Sequence, residues 1–155
     1  MMAKTKPTLI IDTREKNPLK ITCGRIYDNI VRTKLDTGDY SIAGLEEYLC
    51  IERKGAISEV AHNVFDARFI RELDRMNHKY SFIVFEFTLE ELLRYPYGCG
   101  LPKRTISKIR VNGKLLTSKI IELQLKYPHI HFVFAGDNTI EYVNRICKKV
   151  VEAEW

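Results

Sequence analysis

Residues 38–54 read GDYSIAGLEEYLCIERK. Two short β-prone runs, 40–43 and 48–53, flank the segment Gly44 to Glu47, which reads as the connecting turn of a hairpin. Asp39 follows Gly38 and opens the first strand, while Glu52 and Lys54 stand two apart near the end of the second. Side chains alternate across a strand, so Glu52 and Lys54 share one face and Arg53 takes the other. Folding back at the turn brings Asp39 beside Glu52. Two carboxylates so placed repel unless a cation separates them, and oxygen ligands with a few waters suit Mg²⁺ or Mn²⁺. Phosphodiester hydrolysis needs what this cluster supplies: a cation to polarise the phosphate and acidify a water, and an ammonium to orient that water or stabilise developing charge. The bland alternative is that Glu52 and Lys54 form an exposed ion pair worth under about 1 kcal/mol.

Outward from the hairpin, strands and helices alternate. TLIID (8–12) is an apolar run ending in an acid and reads as a buried strand with Asp12 at its C-terminal edge. From Ser58 to about Lys79 the period is helical, with Phe65, Phe69, Leu73 and Met76 on a core face. Arg68, Arg71 and Arg75 are spaced to project together from the other side, which is either a solvated charged face or a phosphate-binding one. SFIVFEF (81–87) is nearly continuous apolar sequence and is expected in the middle of the sheet. A short helix over 89–94 precedes the loop YPYGCGLP, whose glycines and prolines exclude regular structure. Residues 114–126 read as a helix, 130–135 as a strand, and a closing helix follows, capped by Asp137 or Asn138, with Ile140, Val143, Cys147 and Val150 as its apolar stripe. The pattern predicts an α/β fold, a mixed central sheet flanked by α-helices, in one domain over residues 1–155.

Composition agrees with a globular protein: 155 residues, 45% hydrophobic and 29% charged. No stretch reaches the ~18 apolar residues that cross a bilayer, and MMAKTKPT lacks a signal peptide's apolar run, so no membrane partner is expected. Cys23, Cys50, Cys99 and Cys147 show no CxxC spacing and read as buried free thiols. Net charge of +5 is compatible with a polyanionic partner.

Taken in order, LIIDTRE, GDY, IERK, the helix with Arg68, FIVFEF and LQLKYP resemble the nuclease domain of XPF-type structure-specific endonucleases, from Leu9 to about Val151. GDY followed by ERK places the PD-(D/E)xK motif of restriction-endonuclease-like folds within that signature. The resemblance implies a Mg²⁺-dependent endonuclease, with Mn²⁺ able to substitute, cutting branched or flapped DNA as a homodimer or heterodimer in repair, recombination or replication. It implies that Asp39, Glu52 and Arg53 form the metal set, that Lys54 acts on the water, and that Asp12 is a further catalytic acid. Arg14, Arg53 and Arg68 match positions that the family keeps near the scissile phosphate. An intracellular setting, cytoplasmic or nuclear, follows, and the gene could be phage- or virus-borne.

Two departures stand out. Where the pattern often has Asp, four residues after the lysine, this chain has Ser58, with Glu59 next to it. No helix-hairpin-helix domain of the kind many relatives carry is expected within residues 1–155.

Outside the motif, Lys103 and Arg104, with Lys108 and Arg110, lie near Tyr95 and Tyr97 and suit backbone contact and stacking on single-stranded DNA. The alternative is a solvated helix beside an ordinary loop. Glu86 is either an outer carboxylate of the metal site or an acid paired with a neighbouring Arg. His129 and His131 share a strand face and are expected to pack rather than ligate. Rival readings are a catalytically silent DNA-binding subunit and a metal-independent structural module.

Overall fold

The computed structural model describes residues 5–155, so residues 1–4 of the segment read as lacking a signal peptide lie outside it. In chain order the elements are β1 (Thr8–Ile11), β2 (Asn29–Arg32), β3 (Tyr40–Ile42), β4 (Leu49–Lys54), α1 (Ile57–Asn63), α2 (Ala67–Arg75), β5 (Tyr80–Phe85), α3 (Leu89–Arg94), α4 (Lys103–Ile106), α5 (Gly113–Lys126), β6 (Ile130–Phe134) and α6 (Thr139–Glu154). One six-stranded sheet runs β2-β1-β3-β4-β5-β6. β3 is antiparallel to both neighbours and every other pairing is parallel. The C-terminal ends of β1, β4, β5 and β6 and the N-terminal end of β3 therefore meet at one edge, which is where the acids of the motif fall.

Alternation on the strands divides the core in two. Cys50, Ile83 and Phe85 face helices α1, α2, α3 and α5 through Val60, Leu73, Leu92, Leu116 and Ile120. On the opposite face Leu9, Ile42, Ile51 and Val84 meet α6 through Val143, Cys147 and Val150. α5 approaches α3 closely because Gly113 has no Cβ; one built there would lie 2.2 Å from the Leu92 carbonyl oxygen. No helix among the described residues is long and apolar enough to cross a membrane.

Several expectations need correction. The helix expected over 58–79 is two helices. Asp66 accepts from the Arg68 amide at 2.9 Å and starts α2 afresh, leaving Phe65 on the surface. β5 is fifth of six strands rather than central, because β6 pairs along its outer side. Asn138 occupies the α6 cap position without a side-chain cap bond; a short 3₁₀ turn, Gly136–Asn138, leads in, and Thr139 donates to the Gly136 carbonyl instead. Only Cys50 and Cys147 are buried thiols; Cys23 and Cys99 are exposed. β2 is absent from the sequence reading: NIVR is short, half-exposed and at an edge, so it carries almost no periodic signal.

Candidate active site

The β3–β4 register pairs Tyr40 with Ile51, which puts Asp39 across from Glu52. Asp39 is held at three points. Its amide donates to the Ile51 carbonyl (2.8 Å), its carbonyl accepts from the Asp12 amide (2.8 Å), and Oδ2 accepts from the Arg53 amide (2.8 Å). Gly38 makes this possible: φ is +86°, and a Cβ there would fall 2.7 Å from Cys50 Sγ. Asp39 and Glu52 open into a cleft of about 210 Å³, lined also by Asp12, Arg14, Asp36, Thr37, Gly38, Arg68, Glu72, Arg75 and Met76.

Burial pushes both the Asp39 and Glu52 carboxyls upward, and the Asp39 charge adds to the effect on Glu52. A bound cation would relieve both. Five carboxylates and three guanidiniums line the cleft, with no His or Cys, so the donors are hard oxygens. No group of three or more His, Cys, Asp and Glu residues is arranged as a metal cage among the described residues. Mg²⁺ needs none, since it is commonly held by one or two carboxylates with water completing the shell. The residues therefore fit Mg²⁺ or Mn²⁺.

Lys54 lies behind the cleft rather than on its wall. Its side chain is 5% exposed, and Nζ stands 3.4 Å from Glu72, 3.5 Å from Glu52 and 3.9 Å from Glu59. Burial pushes the ammonium down, but Glu52, Glu72 and Glu59 outweigh it and the net shift is upward. Lys54 is thus a fixed cation and a poor proton acceptor. Glu59 does reach it from the helix after the missing acid, though half-exposed and farther than Glu72.

Asp12 is 1% exposed, and both its oxygens are spent. Oδ1 accepts from the Leu35 amide (2.8 Å), and Oδ2 from Arg14 Nε (2.8 Å) and the Arg14 amide (3.2 Å). Burial works against ionisation, yet these donors hold its carboxyl below the usual range. That arrangement positions Arg14 at the cleft, which Asp12 itself also lines. Arg53 is also not where a ligand side chain would be. Its guanidinium goes to the α6 side, bound to Glu15 (3.0 Å) and Glu86 (3.0 Å), while its backbone amide donates to Asp39 in the site. Glu86 is accordingly the Arg-paired acid.

The chain's sequence and fold both have known relatives. Residues 11–146 match the ERCC4 domain. The chain belongs to the ERCC4 domain family. Among solved structures, this ERCC4 domain resembles XPF from Aeropyrum pernix, alone and in complex with DNA. Each likeness has a TM-score of 0.63 and 20% identity, covering 96% of this chain and 66% of the other. The chain thus spans just under two thirds of that protein's length. No curated protein sequence matches it.

The remaining expected residues of the ERCC4 domain scatter. Arg68 and Arg14 line the cleft; Lys103 and Arg104 sit on exposed α4 and do not. Tyr97 is exposed, whereas Tyr95 is buried and cannot stack on a base. His129 touches the Met76 carbonyl (2.8 Å) and His131 packs on Phe82, both packing roles. Tyr40 is buried, its hydroxyl donating to Glu15 (2.7 Å), while Tyr48 is exposed. Arg75, one of the three arginines expected to project together, lines the cleft with Arg68 whereas Arg71 does not, and Glu72 and Asp36 join it without having been expected there. The available signal for Glu72 was its spacing four residues after Arg68 on a helix.

Proposed function

We propose that this domain is a metal-dependent DNA endonuclease of the XPF type. The observation that carries the reading is the pairing of Asp39 with Glu52 in one cleft, a charged Lys54 behind them and arginines at the rim, within an ERCC4 domain. Asp39 and Glu52 would hold one Mg²⁺ or Mn²⁺, which when bound supplies a Lewis acid for the phosphate and lowers the pKa of water. The chain's own groups do the rest. Lys54 lends a fixed positive charge to the charge developing on the phosphate, and Glu72 holds that ammonium beside Glu52. Arg68 and the Asp12-anchored Arg14 hold the phosphate. Lys103 and Arg104 contact flanking DNA backbone.

DNA is the proposed substrate, by analogy with the XPF structure bound to DNA, and branched or flapped DNA is the proposed class on the resemblance of the motifs. The proposed setting is intracellular, in repair or recombination, with the domain paired in a homodimer or heterodimer. The test is incubation with flap, fork and Holliday-junction DNA, with and without Mg²⁺ or Mn²⁺, beside Asp39→Asn and Lys54→Ala. Cleavage by the parent alone, with DNA binding retained in both variants, supports the reading; binding without cleavage under every metal rejects it. A non-cleaving DNA-holding subunit is the second reading, favoured by the burial of Lys54 behind Glu52 and Glu72.

A further inference from the structure

Of the three arginines in the cleft, Arg14 is anchored by internal partners, Nε on Asp12 Oδ2 and Nη2 on the Leu35 carbonyl, with Nη1 left over for the phosphate. Arg68 and Arg75 are not. Both come from α2, both are exposed, and neither guanidinium has an ion-pair partner among the described residues, although five carboxylates line the same cleft. Glu72 lies between them and turns inward to Lys54. The stripe Arg68, Glu72, Arg75 follows helical spacing of four and three residues, and Arg71, beside it, is exposed and does not line the cleft. Seven residues of helix rise about 10.5 Å, so the two guanidiniums start from well-separated points on α2. A pair of unsatisfied guanidiniums at that separation suits two phosphates of one strand better than one.

From this geometry we infer that Arg75 is a second backbone grip of the substrate, taking a phosphate flanking the one that Arg68 approaches, while Arg71 takes none. The inference rests on the nuclease reading for what the cleft binds. It makes α2 a two-point clamp on the substrate backbone, one phosphate at each end of the helix, adding affinity without touching the scissile bond. A guanidinium can grip phosphate with two parallel N–H donors, which an ammonium cannot, so Arg75→Lys is expected to recover only part of the function.

The test uses the full chain and a fluorescent flap duplex in Ca²⁺, comparing Arg75→Ala, Arg75→Lys and Arg71→Ala. Both positions are on the surface of one helix, so the three variants remove or retain charge at exposed sites, and thermal melting checks folding. Expected for Arg75→Ala is several-fold weaker binding, with the slope of log K against log salt reduced by about 0.7 to 0.9. In Mg²⁺ its KM rises with kcat little changed. Arg71→Ala should match the parent, and Arg68→Ala combined with Arg75→Ala should lower the slope by about twice the single loss, since separate contacts add. Equal effects of Arg71→Ala and Arg75→Ala, or an unchanged slope for Arg75→Ala, would overturn the proposal. A parent that binds and never cleaves, yet shows the same split between Arg75 and Arg71, sinks the nuclease reading and leaves the grip standing. A parent that does not bind DNA sinks both.

Discussion

The two faces of β4 near its C-terminal end are opposites in electrostatics. On the α2 side, Glu52 and its neighbour Asp39 are carboxylates whose ionised forms burial opposes. On the α6 side, Arg53 is matched by Glu15 and Glu86, with Tyr40 donating to the same Glu15 oxygen. One face is left wanting a cation and the other is already paired. The lesson is that the strand end is pinned from behind so that the destabilised acids in front stay in place; the Arg53 amide, donating to Asp39, links the two.

The comparison can be broken from either side. The largest effect is expected at the front: Lys54→Ala should cut the cleavage rate by at least about a hundredfold while flap binding persists, measured as single-turnover rate against affinity. Behind, Arg53→Ala leaves Glu15 and Glu86 unpaired and should cost about 3 kcal/mol of stability in urea unfolding. A loss well under 1 kcal/mol would show that the rear pairs do not pin the strand.

Asp39→Asn should do the reverse of a usual site mutation and stabilise the metal-free domain, by on the order of 1 kcal/mol. The sign follows from linkage. The folded Asp39 and Glu52 carboxyls titrate above their unfolded values, so the folded state holds more protons across that interval. Their contribution is fully present below the ordinary carboxyl range near pH 4 and is lost as pH rises through the raised values. Melting temperature against pH should therefore fall more steeply in this window for the parent than for Asp39→Asn. Mg²⁺ should raise the parent's melting temperature and not the variant's. Smallest of all, Lys103→Ala with Arg104→Ala should flatten the salt dependence of binding by about one unit per lost contact and leave kcat alone, since α4 is outside the cleft.

Much of this was legible in the residues, and for a physical reason. Hairpin register follows from turn position and strand alternation, so GDY and ERK suffice to set Asp39 opposite Glu52 and Arg53 on the reverse face. What escaped depends on long-range partners. Glu72 enters the site only because α2 restarts at Asp66 and turns that face toward Lys54, and no local pattern encodes which face of a charged helix looks at a strand end. Asp12 looks like a free acid until the Leu35 amide and Arg14 are found to occupy it. β2 pairs in parallel with β1, twenty residues away, and its four residues lack any alternation of their own to announce it.

The central claim is that Asp39 and Glu52 together hold one divalent ion. Titration with Mn²⁺, followed by the loss of the free-ion electron paramagnetic resonance signal, measures this without relying on cleavage. The expected result is one Mn²⁺ per chain for the parent, lost or strongly weakened in Glu52→Gln and in Asp39→Asn. Equal stoichiometry and affinity in parent and variants would contradict it.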